Sequence, residues 1–550
     1  MNLSKRLLVF LATVLMLSFV LVACASEPDE NGSPTDDGDT EEPADNGEDT
    51  TDGGETDGQS GGNDLVIANS SDAVSLDPAG SNDVPSSNVA ANIYESLVKQ
   101  DQNMELQPSL AESWELVEDN VWEFKLREGV KFHDGSDFNA EVVKMNIERV
   151  LDKDVASPRS FLYSMVTDIE VVDDYTVRFT TEFPFSPLPA HLAHNGGAMV
   201  SPKLIEEDYA AMEAGEEPGS VINENPVGTG FFKFEEWVPG QHIKLVRNDD
   251  YWGEPVKLDS VTFKVVSEDL TRVAELRTGD SHISDPLSPS DVAEIENTDG
   301  LHVNTQGSVS LSYVGFNMEK EPFNDPRVRQ AINMAIDRSQ IIDGIYNGVG
   351  IPAIGPLAPD VFGYDPNVPG LEYDPEKAKE LLAEAGFEDG FSTTLWTNDN
   401  RERMDMATNV QAQLKEFGIE VEIEVMEWGA YLDQTANGEH DMFILGWSTV
   451  TGDADYGLYA LLHSDNVGEP GNRTFTQDPE LDALLDEARQ TSDAEERAEL
   501  YRQIQEMLVD IAPMLYIHHQ EYLLGVSDKV QGLIQDPTGI LRLQNVTLTE

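Results

Sequence analysis

The sequence predicts a layered α/β body divided into more than one lobe. Two observations carry this. The chain has 550 residues, whereas single hydrophobic cores stop growing at about 250–300 residues. Strand-like runs also alternate with helix signals along it. Residues 120–126 read as a strand with Trp122 and Phe124 on one face. Residues 171–180 read as a hairpin, two β-rich runs broken at Asp173-Asp174. Asp325-Pro326, Asp374-Pro375 and Asp478-Pro479 each pair an N-cap acid with proline at the first helical position. Behind Pro375, Ala378, Leu381, Leu382 and Ala385 form one apolar stripe, and Gly386 stops it. Residues 386–425 then read as loop, strand, helix and strand. Ser492 with Glu495 reads as a capping box before a helix whose inner face carries Leu500, Ile504 and Leu508.

Composition narrows the function. Hydrophobic residues make up 39% and charged residues 25%, a soluble globular mixture. There are 104 acidic residues against 34 basic ones, a formal net charge of −70. Such a surface repels phosphate backbones and anionic headgroups, so no nucleic acid partner is expected. At long range it favours neutral or cationic ligands, within the screening length of salt. The acidity fits adaptation to high salt or a habit of the lineage, and both readings stand.

Lys5 and Arg6 precede an apolar run over residues 7–22, the layout of a secretory signal. The run ends in Leu21-Val22-Ala23-Cys24, which resembles a bacterial lipobox. Residues 1–23 are expected to be a signal peptide and Cys24 the lipid anchor. Cys24 is the only cysteine, so no internal disulfide forms. Residues 25–63 hold 14 acidic residues and no Lys or Arg, and residues 24–63 are expected to be a disordered tether. No later stretch reaches the roughly 18 apolar residues of a membrane span.

Five stretches of the body resemble, in order, the ABC-importer solute receptors of extracellular family 5. They are Ser75-Leu76-Asp77-Pro78 with Asn92-Ile93-Tyr94-Glu95-Ser96-Leu97; Leu110-Ala111-Glu112-Ser113-Trp114 running on to Gly129 and Phe132-His133-Asp134-Gly135; Gly228-Thr229-Gly230-Phe231 to Tyr251-Trp252; Gly315-Phe316-Asn317 to Pro322-Phe323-Asn324-Asp325-Pro326; and Gly446-Trp447 to Gly452-Asp453-Ala454-Asp455-Tyr456. The resemblance implies a two-lobed periplasmic-binding-protein-like fold of type II with an extra subdomain. It places lobe I at residues 64–95, 200–310 and 520–550, the extra subdomain at 96–199 and lobe II at 311–519. The chain would cross between lobes near residues 311–317 and 516–522. It implies a monomeric, non-enzymatic receptor, lipid-anchored on the outer face of the cytoplasmic membrane. Such a receptor passes a short peptide (dipeptide, oligopeptide or glutathione) to separate permease subunits. No cofactor is expected.

A zwitterionic guest enclosed between lobes needs each charge neutralised, because an unpaired buried charge costs several kcal/mol. Its peptide groups need partners, which an exposed strand edge supplies. In peptide-binding relatives an aspartate shortly after a Gly-Trp pair contacts the ligand ammonium. The resemblance therefore points to Asp453, with Asp455 as substitute, although relatives place the acid where this chain has Val450. Arg401 and then Arg403, at a loop entering a helix, are the candidates for the carboxylate. Tyr94, Phe316, Trp396 and Trp447 are candidate aromatic walls. Asn317 and the loop Asn82-Asp83-Val84-Pro85 are candidate contacts, Val84 by resemblance to a first-lobe segment that pairs with peptide backbone. Residues 194–202 and 228–230 are also expected near the cleft.

Three other classes remain open, one of them a sensory receptor that docks on a signalling membrane protein, which the sequence does not separate from import. Nickel or haem receptors occur in the same family. However, His518-His519 point to opposite strand faces, and His191 and His194 read as exposed single histidines. A peptide hydrolase would need a nucleophile or metal motif, and no G-x-S-x-G, H-E-x-x-H or G-x-x-x-x-G-K-[ST] occurs.

Overall fold

The computed structural model describes residues 63–549 apart from 82, 427, 469 and 470. The expected signal, Cys24 and almost all of the tether lie outside the described residues.

Three larger sheets organise the body. The first has seven strands in the order Leu301–Gly307, Glu521–Ser527, Ile283–Asp285, Asp64–Asn69, Ser260–Val265, His242–Arg247 and Phe232–Val238. Asp64–Asn69 runs parallel to both of its neighbours, with Leu65 opposite Val261 and Ile67 opposite Ile283. The second has six strands in the order Ile351–Pro352, Met514–His519, Ser310–Phe316, Met442–Ser448, Ser392–Asn398 and Glu420–Met426. The third has four antiparallel strands: Ala111–Glu118, Val121–Leu126, Thr176–Thr181 and Val166–Asp173.

Side-chain alternation splits the core of the six-stranded body in two. In Met442–Ser448, Phe443 and Leu445 enter one buried cluster and Met442 and Ile444 the other. Leu311 and Tyr313 join the first, Val314 and Phe316 the second. Helices cover both faces, so these strands are apolar throughout rather than alternating with polar residues.

The expected strand over residues 120–126 is Val121–Leu126, and the expected hairpin is Val166–Asp173 with Thr176–Thr181. Asp325, Asp374 and Asp478 each accept a backbone N–H in the first turn of their helices. The capping box at Ser492 does not form. Asp493 caps Ala494–Ile511 instead, accepting from Glu495 N and Glu496 N at 3.1 and 3.0 Å. A carboxylate at that position also complements the positive end of the helix.

The chain passes between the first two sheets between Gly307 and Ser310 and between His519 and Glu521. The first crossing falls just before residues 311–317. Of those, residues 312–315 are ladder-bonded on both sides and belong to a strand, not to a connector. Ser308 N donates to Gln520 O at 3.0 Å, tying the two crossings together.

Candidate ligand-binding cleft

Several family-like motifs form the scaffold of the site rather than its contact surface. Asp77 accepts both Arg149 Nη1 and Nη2, at 3.0 and 2.7 Å, and Arg149 also reaches Asp208 at 2.9 Å. Glu95 accepts from Thr229 Oγ1, Tyr251 Oη and Trp252 Nε1 at 2.7–2.8 Å. Two of the five stretches, the first and the third, are thereby joined at one carboxylate; burial raises its pKa, and these donors offset part of that rise. A Cβ on Gly228 or Gly230 would collide with the carbonyl of Ile93 or Asn92. The Gly-Thr-Gly run is thus set by close backbone approach.

A cavity of ≈ 240 Å³ lies among the three bodies. Helix Val84–Ile93 supplies Asp83, Val84 and Ser87 at its N-terminal end. Asp83-Val84-Pro85 therefore starts a helix, Asp83 as its cap, instead of forming a loop. The chain between Ala140–Leu151 and Val166–Asp173 supplies Arg159, and the segment around the turn Asn195–Gly197 supplies Ala193, His194 and Asn195. The six-stranded body contributes Gly446, Trp447 and Ser448, then Val450 and Tyr456. The C-terminal segment closes the wall with Thr538, Ile540 and Arg542.

Strand Met442–Ser448 pairs along its whole length with Ser310–Phe316 but meets Ser392–Asn398 only at Met442 and Phe443. Residues 446–448 therefore present an edge without a strand neighbour among the described residues, and it faces the cavity. The Trp447 ring packs 5.4 Å from Tyr456, and its Nε1 has no partner among the described residues. Tyr456 also lies against Phe161 and His194, at 5.8 and 6.5 Å.

The charged groups on the cavity are few. Asp83 Oδ1 accepts from Ser86 N at 2.8 Å as the helix cap. Arg542 is bridged at 2.5 Å to Asp536, whose Oδ1 accepts from Thr538 N, Thr538 Oγ1 and Ile540 N. Arg159 is only 3% exposed, yet no carboxylate lies within bonding distance among the described residues. It donates through Nε to Ser81 O and lies against the His194 ring. Burial pushes its guanidinium down to about 10. Burial, then Arg159 and His191, hold His194 far below the usual histidine range, so its ring is neutral.

Of the ten ligand-contact candidates, Val84 and Trp447 line the cavity. Asp453 and Asp455 are buried but do not. Asp453 caps Ala454–Leu462 and takes Arg497 Nη1 and Nη2, both at 2.6 Å. Asp455 takes Arg489 at 3.1 and 3.2 Å. Both carboxylates are already neutralised, which removes them as partners for an ammonium. For Arg497, burial lowers the pKa but Asp453 more than offsets it, and the net shift is upward. Arg401 is exposed at the start of Arg401–Leu414. Arg403 donates to Asn398 Oδ1 at 3.0 Å and lies behind Gly446, outside the lining. Tyr94, Phe316 and Trp396 are core residues. Asn317 is buried and donates to the carbonyls of Gly438 and His440, which fixes a turn.

His191, His194, His518 and His519 are buried, not exposed. The His518 ring packs tilted against Tyr346 at 4.3 Å, while His519 Nδ1 bonds Ser310 O on the other side of the strand. No group of three metal-ligating side chains exists among the described residues. No helix among them is long and apolar enough to cross a membrane.

The sequence reading missed Arg159, Asp83 as an acid, Gln100, Tyr456 and Arg542. Arg159 sits in Ser157-Pro158-Arg159-Ser160, a turn with no periodicity and no charged neighbour to mark it.

The chain belongs to the bacterial extracellular solute-binding proteins, family 5, whose middle portion matches residues 105–469. It is 34% identical over 495 residues to the glutathione-binding protein GsiB of Pectobacterium atrosepticum, covering 88% of this chain and 94% of that one. DppA of Helicobacter pylori, solved with the peptide STSA, is 34% identical with a TM-score of 0.78, covering 89% and 98% of the two chains. The oligopeptide-binding protein AppA of Bacillus subtilis, solved with a nonapeptide, is 30% identical with a TM-score of 0.75, covering 89% and 99%. The fold is the two-lobed periplasmic-binding-protein fold, and the family consists of extracytoplasmic solute receptors of ABC transporters, not enzymes.

Proposed function

We propose that this receptor captures a short peptide in the cavity and hands it to the permease of an ABC importer. The observation that carries the reading is the strand edge at residues 446–448, which faces the cavity and has no strand neighbour on that side among the described residues. An extended peptide adds to such an edge through its main chain, and side-chain pockets then set preference. Asp83, half-buried on the same wall, is the acid suited to the ligand ammonium. The cavity volume of ≈ 240 Å³ favours a di- or tripeptide over a long oligopeptide. A tripeptide such as glutathione fits that size, and the likeness to glutathione-binding relatives supports it.

Within this proposal, residues 64–95, 200–310 and 520–550 act as lobe I, 96–199 as the extra subdomain and 311–519 as lobe II. The paired crossings at Ser308 and Gln520 are the hinge. Cys24 carries the lipid anchor, and the acidic tether holds a monomeric body off the membrane. Isothermal titration against dipeptides, tripeptides, glutathione, haem and nickel tests the reading. Binding of a short peptide with one site per chain is expected. Binding of haem or nickel alone would overturn it.

A further inference from the structure

We propose that Arg159 is the group that receives the carboxylate of the captured peptide. This rests on the peptide reading above and adds to it the residue that selects a free acid. The extra subdomain thereby becomes part of the binding site.

Arg159, buried Arg329 and half-buried Arg338 have no carboxylate partner among the described residues, and their surroundings differ. Arg329 donates to the carbonyls of Ile511, Ala512 and Phe323, closing the end of helix Ala494–Ile511. Arg338 donates to Tyr516 O at 2.6 Å, Leu371 O at 2.8 Å and Asn333 Oδ1 at 3.3 Å. Burial lowers all three to about 10, so burial does not separate them. Their partners do. Arg329 and Arg338 are wrapped by oxygen acceptors and do not line this cavity. Arg159 has one carbonyl, from Ser81, and the neutral ring of His194 at 2.8 Å. Its Nη2 has no partner among the described residues, and the side chain lines the cavity. A guanidinium held so keeps Nη2 for a guest in the cavity that the side chain lines. A carboxylate is the anion that a guanidinium takes with two parallel bonds.

The arginine is also held in position. Its Cβ, Cγ and Cδ lie 3.0–3.1 Å from where a Cβ on Gly196 would sit, so Gly196 leaves room for the stem. The edge at residues 446–448 and Asp83 complete a site in which the peptide's main chain, amine and acid each have a counterpart.

The test compares trialanine and glutathione with their C-terminal amides, on the full mature protein, by isothermal titration. The wild-type protein is expected to prefer each free acid by about 10- to 100-fold, the range for a charge-assisted pair. In Arg159→Gln the free acid should fall to the affinity of the amide, with the amide unchanged within about twofold. Arg159→Lys should keep part of the preference. Gly196→Ala, which displaces the stem without removing the charge, should lose part of it too. The melting temperature of unliganded Arg159→Gln should hold or rise, because a buried charge without a counter-ion has been removed. Equal binding of acid and amide by the wild type would overturn the proposal, as would an acid preference that survives Arg159→Gln. A fall in unliganded melting temperature with loss of both ligand forms would make Arg159 a structural residue and overturn it as well. Failure of either peptide to bind the wild type in any form would instead sink the peptide reading on which the proposal rests.

Discussion

Arg497 and Arg159 are both buried, and the chain treats them in opposite ways. Arg497 meets its counter-ion inside the fold, a two-pronged pair with Asp453 further joined to Tyr501 Oη at 2.8 Å. Arg489 does the same with Asp455 and lies 3.6 Å over the Tyr459 ring. Arg159 meets a carbonyl and a neutral imidazole. A buried charge paired internally has nothing left to offer a guest, and its removal is a stability event. A buried charge left open on a cavity is a standing demand for an anion, and its removal is a binding event. Burial alone therefore does not mark a ligand contact; the state of the partner does.

The largest way to break this contrast is Arg497→Met. It strands the Asp453 carboxylate, and a loss of about 3–5 kcal/mol is expected in urea unfolding. A loss under about 1 kcal/mol would release Asp453 from its scaffold role and return it to the list of ligand contacts. Next comes acid. Burial holds His518 and His519 down at about 4, against 6.5 in the unfolded chain. The unfolded chain takes up protons first as pH falls. Their contribution is therefore complete above about pH 6.5 and is lost progressively toward pH 4. About 2–3 kcal/mol should disappear between pH 7.5 and 5.5, and a His518→Gln/His519→Gln variant should flatten that slope. Smaller again is Asp83→Asn, which keeps the helix cap because Asn caps as well as Asp. Unfolding free energy should stay within about 0.5 kcal/mol, while affinity for a peptide with a free amine drops about tenfold. An N-acetylated peptide should bind both forms alike, and unequal binding would remove Asp83 from the ammonium. The smallest effect belongs to Arg401→Ala. This residue is exposed and off the cavity, so affinity should stay within about twofold; a larger loss would move the carboxylate site to helix Arg401–Leu414.

What could be read from the sequence follows from how local each signal is. The three Asp-Pro caps and the hairpin around Asp173 depend on two to four neighbouring residues, and they formed where expected. Ser492 lost to Asp493 one position on, because two adjacent side chains both suited the cap. The cavity gathers side chains from six separated stretches, from Asp83 to Arg542, and no window of sequence contains it. Asp453 and Asp455 looked available because their partners, Arg497 and Arg489, lie 44 and 34 residues away. The strongly negative total charge pointed to neutral or cationic guests, but it says nothing about the field at Arg159, a cavity guanidinium with no carboxylate in bonding distance among the described residues and Asp83 acting on it only from farther off.

The seven-stranded sheet has one further consequence, for the order of events during synthesis. Strand Glu521–Ser527 lies between Leu301–Gly307 and Ile283–Asp285, pairing with both. Five strands of that sheet can pair early, but the sheet is completed only once residues 521–527 have been made. Until then Leu301–Gly307 has no route into the sheet, and a nascent chain missing its last thirty or so residues () is held in an incomplete form. A polypeptide that must be threaded through a narrow channel before it folds is well served by such late closure.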